Sequence, residues 1–107
     1  MFIVSSEANE LIQYKNLLID SKAHRVFLGR DEIKFSKKEF LLLSFLILNK
    51  GIVLSKSQIF DVVWGYCETQ MTTNTVEVHI ASLRRKLEKQ QNKKFIHTIH
   101  GIGYVLR

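Results

Sequence analysis

The residues with the most chemical information lie between Asn74 and Gly103. Val76, Ile80, Leu83 and Leu87 recur at i, i+4, i+7 and i+11, the spacing of one narrow apolar stripe along a helix. At about 100° per residue, the opposite face carries Asn74, Val78, Ala81, Ser82 and Arg85. Thr75, His79 and Lys86 fall on one flank of that helix, and Glu77 and Arg84 on the other. Amide, hydroxyl and guanidinium groups on an outward face suit hydrogen bonding to base edges and phosphates. Val78 and Ala81 are small enough to pack on thymine methyls, and small side chains let a helix sink into a major groove about 12 Å wide.

Other constellations carry less. His97 and His100 with Cys67 are too few and too badly spaced for zinc, because side chains three apart on a strand point to opposite faces. Cys67 with a histidine lacks an orienting third group and an oxyanion hole. Gly101-Ile102-Gly103 is not a dinucleotide fingerprint: a phosphate-binding helix must follow, and only four residues remain. Those glycines read instead as a tight turn whose backbone can approach a groove or a phosphate. The sequence therefore predicts no catalysis, no cofactor and no metal.

Charge points the same way as the helix. Residues 79–107 hold seven basic side chains (Arg84, Arg85, Lys86, Lys89, Lys93, Lys94 and Arg107) against Glu88, whereas residues 1–78 hold nine of each sign. A neutral body with a cationic end suits a polyanion. One cysteine excludes an internal disulfide framework, and apolar runs such as Phe40–Leu43 and Phe45–Leu48 stop well short of the ~20 residues of a membrane span. Apolar residues make up 46% of 107, enough for one core and hence one domain.

The elements that position these groups are marked by short signals. Residues 1–10 read as a leader or linker remnant. Residues 11–35 read as short strands around turns at Asp20-Ser21-Lys22 and Gly29-Arg30-Asp31, an antiparallel meander. Ser36-Lys37-Lys38-Glu39 is a capping box with Phe35 and Phe40 as its staple, opening a buried helix that Gly51 stops. Ser55-Lys56-Ser57-Gln58 repeats the signal and opens a short helix with Ile59, Val62 and Val63 inward, ending at Trp64-Gly65. Residues 66–72 read as an exposed loop. A third helix starts near Thr73 or Asn74. Phe95–Ile99 and Tyr104-Val105-Leu106 flank His100–Gly103 as a hairpin with a basic tip. The fold class is α+β, a helix-turn-helix with a wing.

Phe35-Ser36-Lys37-Lys38-Glu39-Phe40-Leu41-Leu42-Leu43, Val63-Trp64-Gly65, Asn74-Thr75-Val76-Glu77-Val78-His79-Ile80 with Leu83-Arg84-Arg85-Lys86-Leu87, and Thr98-Ile99-His100-Gly101-Ile102-Gly103-Tyr104 together resemble the OmpR/PhoB family, winged-helix effector domains of bacterial response regulators. The resemblance covers residues 11–107. It implies an N-terminal antiparallel four-stranded sheet, three helices and a C-terminal β-hairpin wing. It implies a recognition helix at about 73–88 in the major groove and a wing at about 95–106 in the adjacent minor groove. Contacts to double-stranded DNA are expected from Asn74, Thr75, Val78, His79, Ser82, Arg84, Arg85, Lys86, Thr98, His100 and Gly101. Tyr66, Glu68, Thr69 and Gln70 are expected to touch RNA polymerase. Direct-repeat half-sites would be bound in tandem by a protein that is monomeric alone, in the bacterial cytoplasm. Control would come from a receiver domain in cis and a cognate histidine kinase. A receiver has no room in 107 residues, so the chain is an excised effector domain or a free-standing regulator.

The sequence departs from the family where members often carry arginine, at Ala81, Ser82 and His100. The rival from another class is a winged helix used only to dock proteins. A docking module has no need for the charge concentrated in the last third. A reader of double-stranded RNA is weaker still, because A-form major grooves exclude a helix.

Overall fold

A computed structural model describes residues 11–65, 75–88 and 94–107. The described residues begin with four strands, β1 (Leu11–Tyr14), β2 (Leu17–Asp20), β3 (Arg25–Leu28) and β4 (Asp31–Ile33), hydrogen-bonded in that order as an antiparallel meander. Period-2 alternation gives the sheet two different faces. Leu17, Ile19, Val26 and Leu28 are buried on one, and the register pairs Leu17 with Leu28 and Ile19 with Val26. The other carries Arg25, whose guanidinium makes a two-pronged bond to Glu32 at 2.9 and 3.0 Å.

Helix α1 (Lys37–Leu48) lies at the centre, packing on α2, α3 and the last strand. Its capping box is complete: Glu39 N–H donates to Ser36 Oγ at 3.2 Å, and Ser36 N–H donates to Glu39 Oε1 at 2.8 Å. Phe40, Leu42, Leu43, Phe45, Leu46 and Ile47 are all buried, as a nearly all-round apolar helix requires. The helix ends earlier than the expected stop at Gly51. Asn49 is the cap and its buried side-chain amide donates to Phe45 O at 2.9 Å. Gly51 instead ties the following turn to the C-terminal strand, donating to Leu106 O at 2.9 Å.

Strand β5 (Leu54–Ser55) leads directly into α2 (Lys56–Val63), where the Ser55–Gln58 capping box is also complete. Ile59, Phe60 and Val63 face the core. Val62, expected inward, is 45% exposed, and Phe60 takes its place. The two residues lie about 200° apart on a helix, so only one can share a face with Ile59 and Val63.

Helix α3 (Thr75–Leu87) buries Val76, Ile80, Leu83 and Leu87, the four residues of the expected stripe. Strands β6 (Ile96–Ile99) and β7 (Gly103–Leu106) form the C-terminal hairpin. Strand β5 adds to β7, making a second sheet in the order β5-β7-β6. Gly103 lies in β7 rather than in the turn. A Cβ there would stand 1.9 Å from Leu54 O, so the close approach that requires glycine is to β5, not to a ligand. Among the described residues no helix is long and apolar enough to cross a membrane.

Candidate nucleic-acid interface

The buried stripe of α3 fixes which of its side chains face outward. Val78, Ala81 and Arg85 are exposed, 55% for Val78. Arg85 keeps one long contact, Nη2 to Ser82 Oγ at 3.4 Å, so its guanidinium remains available to solvent. With Ser36, Glu39, His79 and Ser82 these residues line a shallow depression along the helix.

The flanking groups are turned onto neighbouring elements. Lys86 Nζ lies 2.7 Å from Glu39 Oε1 and donates to Lys34 O at 3.0 Å. Ser82 Oγ donates to the other oxygen of the same carboxylate. Burial alone would raise the Glu39 pKa, but the bonds from Lys86, Ser82 and the Ser36 amide outweigh it and lower it to about 2. On the other flank, Arg84 Nη2 donates to Ile96 O at 3.1 Å and to Thr98 Oγ1 at 2.7 Å, binding α3 to the hairpin. Glu77 receives Lys56 Nζ at 2.8 Å, binding α3 to the start of α2.

Thr75 and His79 lie half-buried on the same flank as Lys86, nearer the start of α3. His79 Nδ1 is 2.9 Å from Thr75 O; a carbonyl only accepts, so Nδ1 carries the hydrogen. The His79 ring meets Trp64 edge-on, with centroids 4.8 Å apart at 82°, and Trp64 stacks on Phe60. Trp64 thus braces His79 from the core side.

The hairpin tip is His100-Gly101-Ile102, all exposed, closed by Ile102 N–H donating to Ile99 O at 2.9 Å. Gly101 has φ +77°, a backbone that other L-residues adopt at a cost. The tip is not basic in the sense expected. No Lys, Arg, Asp or Glu occurs between Ile96 and Leu106, and the formal charge sits at the base, on Lys94 and Arg107. Burial, then Arg107 and Lys94, hold His97 below the usual imidazole range. Glu88 accepts the Phe95 and Ile96 amides, both at 2.8 Å, and so fixes where β6 begins.

The structure therefore gathers Thr75, Val78, His79, Ser82, Arg84, Arg85 and Lys86 on one helix, with Thr98, His100 and Gly101 on the adjoining hairpin. Asn74, Tyr66, Glu68, Thr69 and Gln70 lie outside the described residues. Sequence reasoning passed over Ile102, 61% exposed at the tip; the signal was an aliphatic side chain in a turn, between two glycines. Among the described residues no group of three His, Cys, Asp or Glu could hold a metal ion.

A three-helix core, with its last helix turned outward beside a β-hairpin, defines a winged helix-turn-helix. The family described as "Transcriptional regulatory protein, C terminal" matches residues 30–106. The chain belongs to this family, the C-terminal domain of OmpR/PhoB-type regulators. It is 39% identical over 98 residues to the response regulator ArlR of Staphylococcus haemolyticus, covering 92% of this chain and 44% of ArlR. The response regulator DrrB of Thermotoga maritima, an OmpR/PhoB homologue, superposes with a TM-score of 0.80 at 31% identity, covering 91% of this chain and 44% of DrrB. The DNA-binding domain of Klebsiella pneumoniae RstA, solved in complex with the RstA box, gives 0.79 at 25% identity, covering 92% of this chain and 97% of that domain. The chain thus spans less than half the length of ArlR and DrrB.

Proposed function

We propose that residues 11–107 form a sequence-specific binding domain for double-stranded DNA, the effector of a two-component transcription regulator. Helix α3 enters the major groove and the hairpin enters the adjacent minor groove. The observation that carries this reading is the phase of α3: a fully buried stripe leaves Val78, Ala81 and Arg85 as its exposed ridge. Small groups permit close approach, and the guanidinium supplies a two-pronged donor for guanine or phosphate. The solved complex of RstA with the RstA box supports the same use here.

Within this reading Arg85, His79 and His100 contact DNA directly. Ser82, Arg84, Lys86 and Thr98 hold α3 against α1 and the hairpin, so they set the angle between the two DNA-contacting elements. The relatives' description as response regulators supports a receiver domain in cis and a cognate histidine kinase. We assign RNA polymerase contact to Tyr66, Glu68, Thr69 and Gln70, a leader or linker role to residues 1–10, and a cytoplasmic location to the protein. The domain is monomeric alone and pairs on direct-repeat half-sites. Selection of bound sequences from a random duplex pool tests the reading. Enrichment of a repeated half-site supports it, and a pool unchanged after several rounds overturns it.

A further inference from the structure

Ile102, 61% exposed, stands at the tip of the hairpin and is more exposed than Val78 on the outward ridge of α3. Three observations describe its setting. Its N–H closes the turn onto Ile99 O at 2.9 Å. Gly103, next in the chain, is pressed against Leu54 O so closely that no Cβ fits, and it pairs β7 with β5. Gly101, on the other side, has no side chain and open space around its Cα. What projects is one aliphatic group, 61% exposed, with His100 as its neighbour.

The hairpin also lacks the side chains that read a minor groove by charge. No Lys or Arg occurs between Ile96 and Leu106. Lys56, which shares a depression with the hairpin tip, is paired with Glu77 at 2.8 Å, and Arg84 is committed to Ile96 O and Thr98 Oγ1. A minor groove displays only acceptors at A·T pairs, whereas G·C adds the guanine 2-amino group to the groove floor. An aliphatic side chain against that floor packs over A·T. Over G·C it meets a protruding donor that it desolvates and cannot satisfy.

Resting on the DNA-binding reading above, we propose that Ile102 is a specificity-determining residue that selects A·T pairs at the wing-contacted step by apolar contact. This selection adds no ionic term. Changes at Ile102 therefore alter sequence preference without altering the dependence of binding on salt, the reverse of a phosphate-binding cation.

The test uses a duplex recovered from a random pool by the wild-type chain, with the hairpin's step located by minor-groove footprinting. At that step A·T is replaced by G·C, then by inosine·C, which restores the groove floor by removing the 2-amino group. The wild-type chain is expected to lose about fivefold or more in affinity for G·C, the lower end for an unsatisfied buried donor, and to regain it with inosine. Ile102→Ser is expected to bind all three duplexes within about twofold of one another, with an unchanged salt slope and an unchanged melting temperature. Inosine failing to restore wild-type affinity overturns the proposal, as does Ile102→Ser keeping the full preference for A·T. Failure to recover any duplex would instead overturn the DNA-binding reading itself.

Discussion

Lys86 Nζ lies 2.7 Å from Glu39 Oε1, fastening the last turn of α3 to the first turn of α1. The same carboxylate closes the capping box of α1 and receives Ser82 Oγ, so one side chain sets both where α1 begins and how α3 lies across it. A buried carboxylate satisfied at each oxygen costs more to leave without its partner than to keep paired.

Glu39→Gln should therefore destabilise the fold by about 2–4 kcal/mol in urea at neutral pH. The pH dependence follows from the lowered pKa. Glu39 is held at about 2, below its unfolded value, so the unfolded chain binds the proton more readily. Its contribution, on the order of 3 kcal/mol, is complete above about pH 5 and is lost as pH falls toward 2. His97, also lowered, adds a smaller loss of the same sign as pH drops below about 6.5. Stability profiles of wild type and Glu39→Gln that run parallel from pH 6 to 3 would contradict this.

Neighbouring arginines on α3 should behave differently. Arg85→Ala should weaken DNA binding by about 1–3 kcal/mol and leave the melting temperature nearly unchanged. Arg84→Ala should loosen the hairpin, because Ile96 O and Thr98 Oγ1 lose their donor. Amide hydrogen exchange resolves the two: faster exchange through β6 and β7 is expected for Arg84→Ala only. Leu83→Ala, fully buried, sets the scale for core damage at about 2–5 kcal/mol.

Two glycines in the hairpin separate steric crowding from backbone strain. Gly101→Ala meets open space and suffers only from φ +77°, so about 1–2 kcal/mol is expected. Gly103→Ala forces a methyl into Leu54 O and should cost more than about 3 kcal/mol, breaking the β5–β7 pairing. Equal thermal shifts for both would contradict the placement of Gly103 in β7.

Much of the frame was legible because its signals are local. The i, i+4, i+7, i+11 stripe of α3 and the two Ser-to-acid or Ser-to-amide capping boxes each lie within one element, and all hold. What was not legible depends on distant partners. Lys86 and Arg84 look like solvated flank charges until Glu39, 47 residues earlier, and the Ile96 carbonyl come beside them. Strand β5 was missed because its two residues also serve as the staple and cap of α2, and only pairing with Tyr104 and Gly103 makes them a strand. The choice of Phe60 over Val62 depended on which α2 face met α1, which a single eight-residue helix does not encode.

The central claim is that the exposed ridge of α3 and the hairpin hold duplex DNA, and a salt titration tests it most directly. Affinity for a selected duplex should fall linearly on a log–log plot with a slope of about −3 to −5, as several phosphates exchange their counterions for protein cations. Arg85→Ala should reduce that slope by about one, while Ile102→Ser leaves it unchanged. Saturable binding with a slope near zero, or no binding to any selected duplex, would contradict the account.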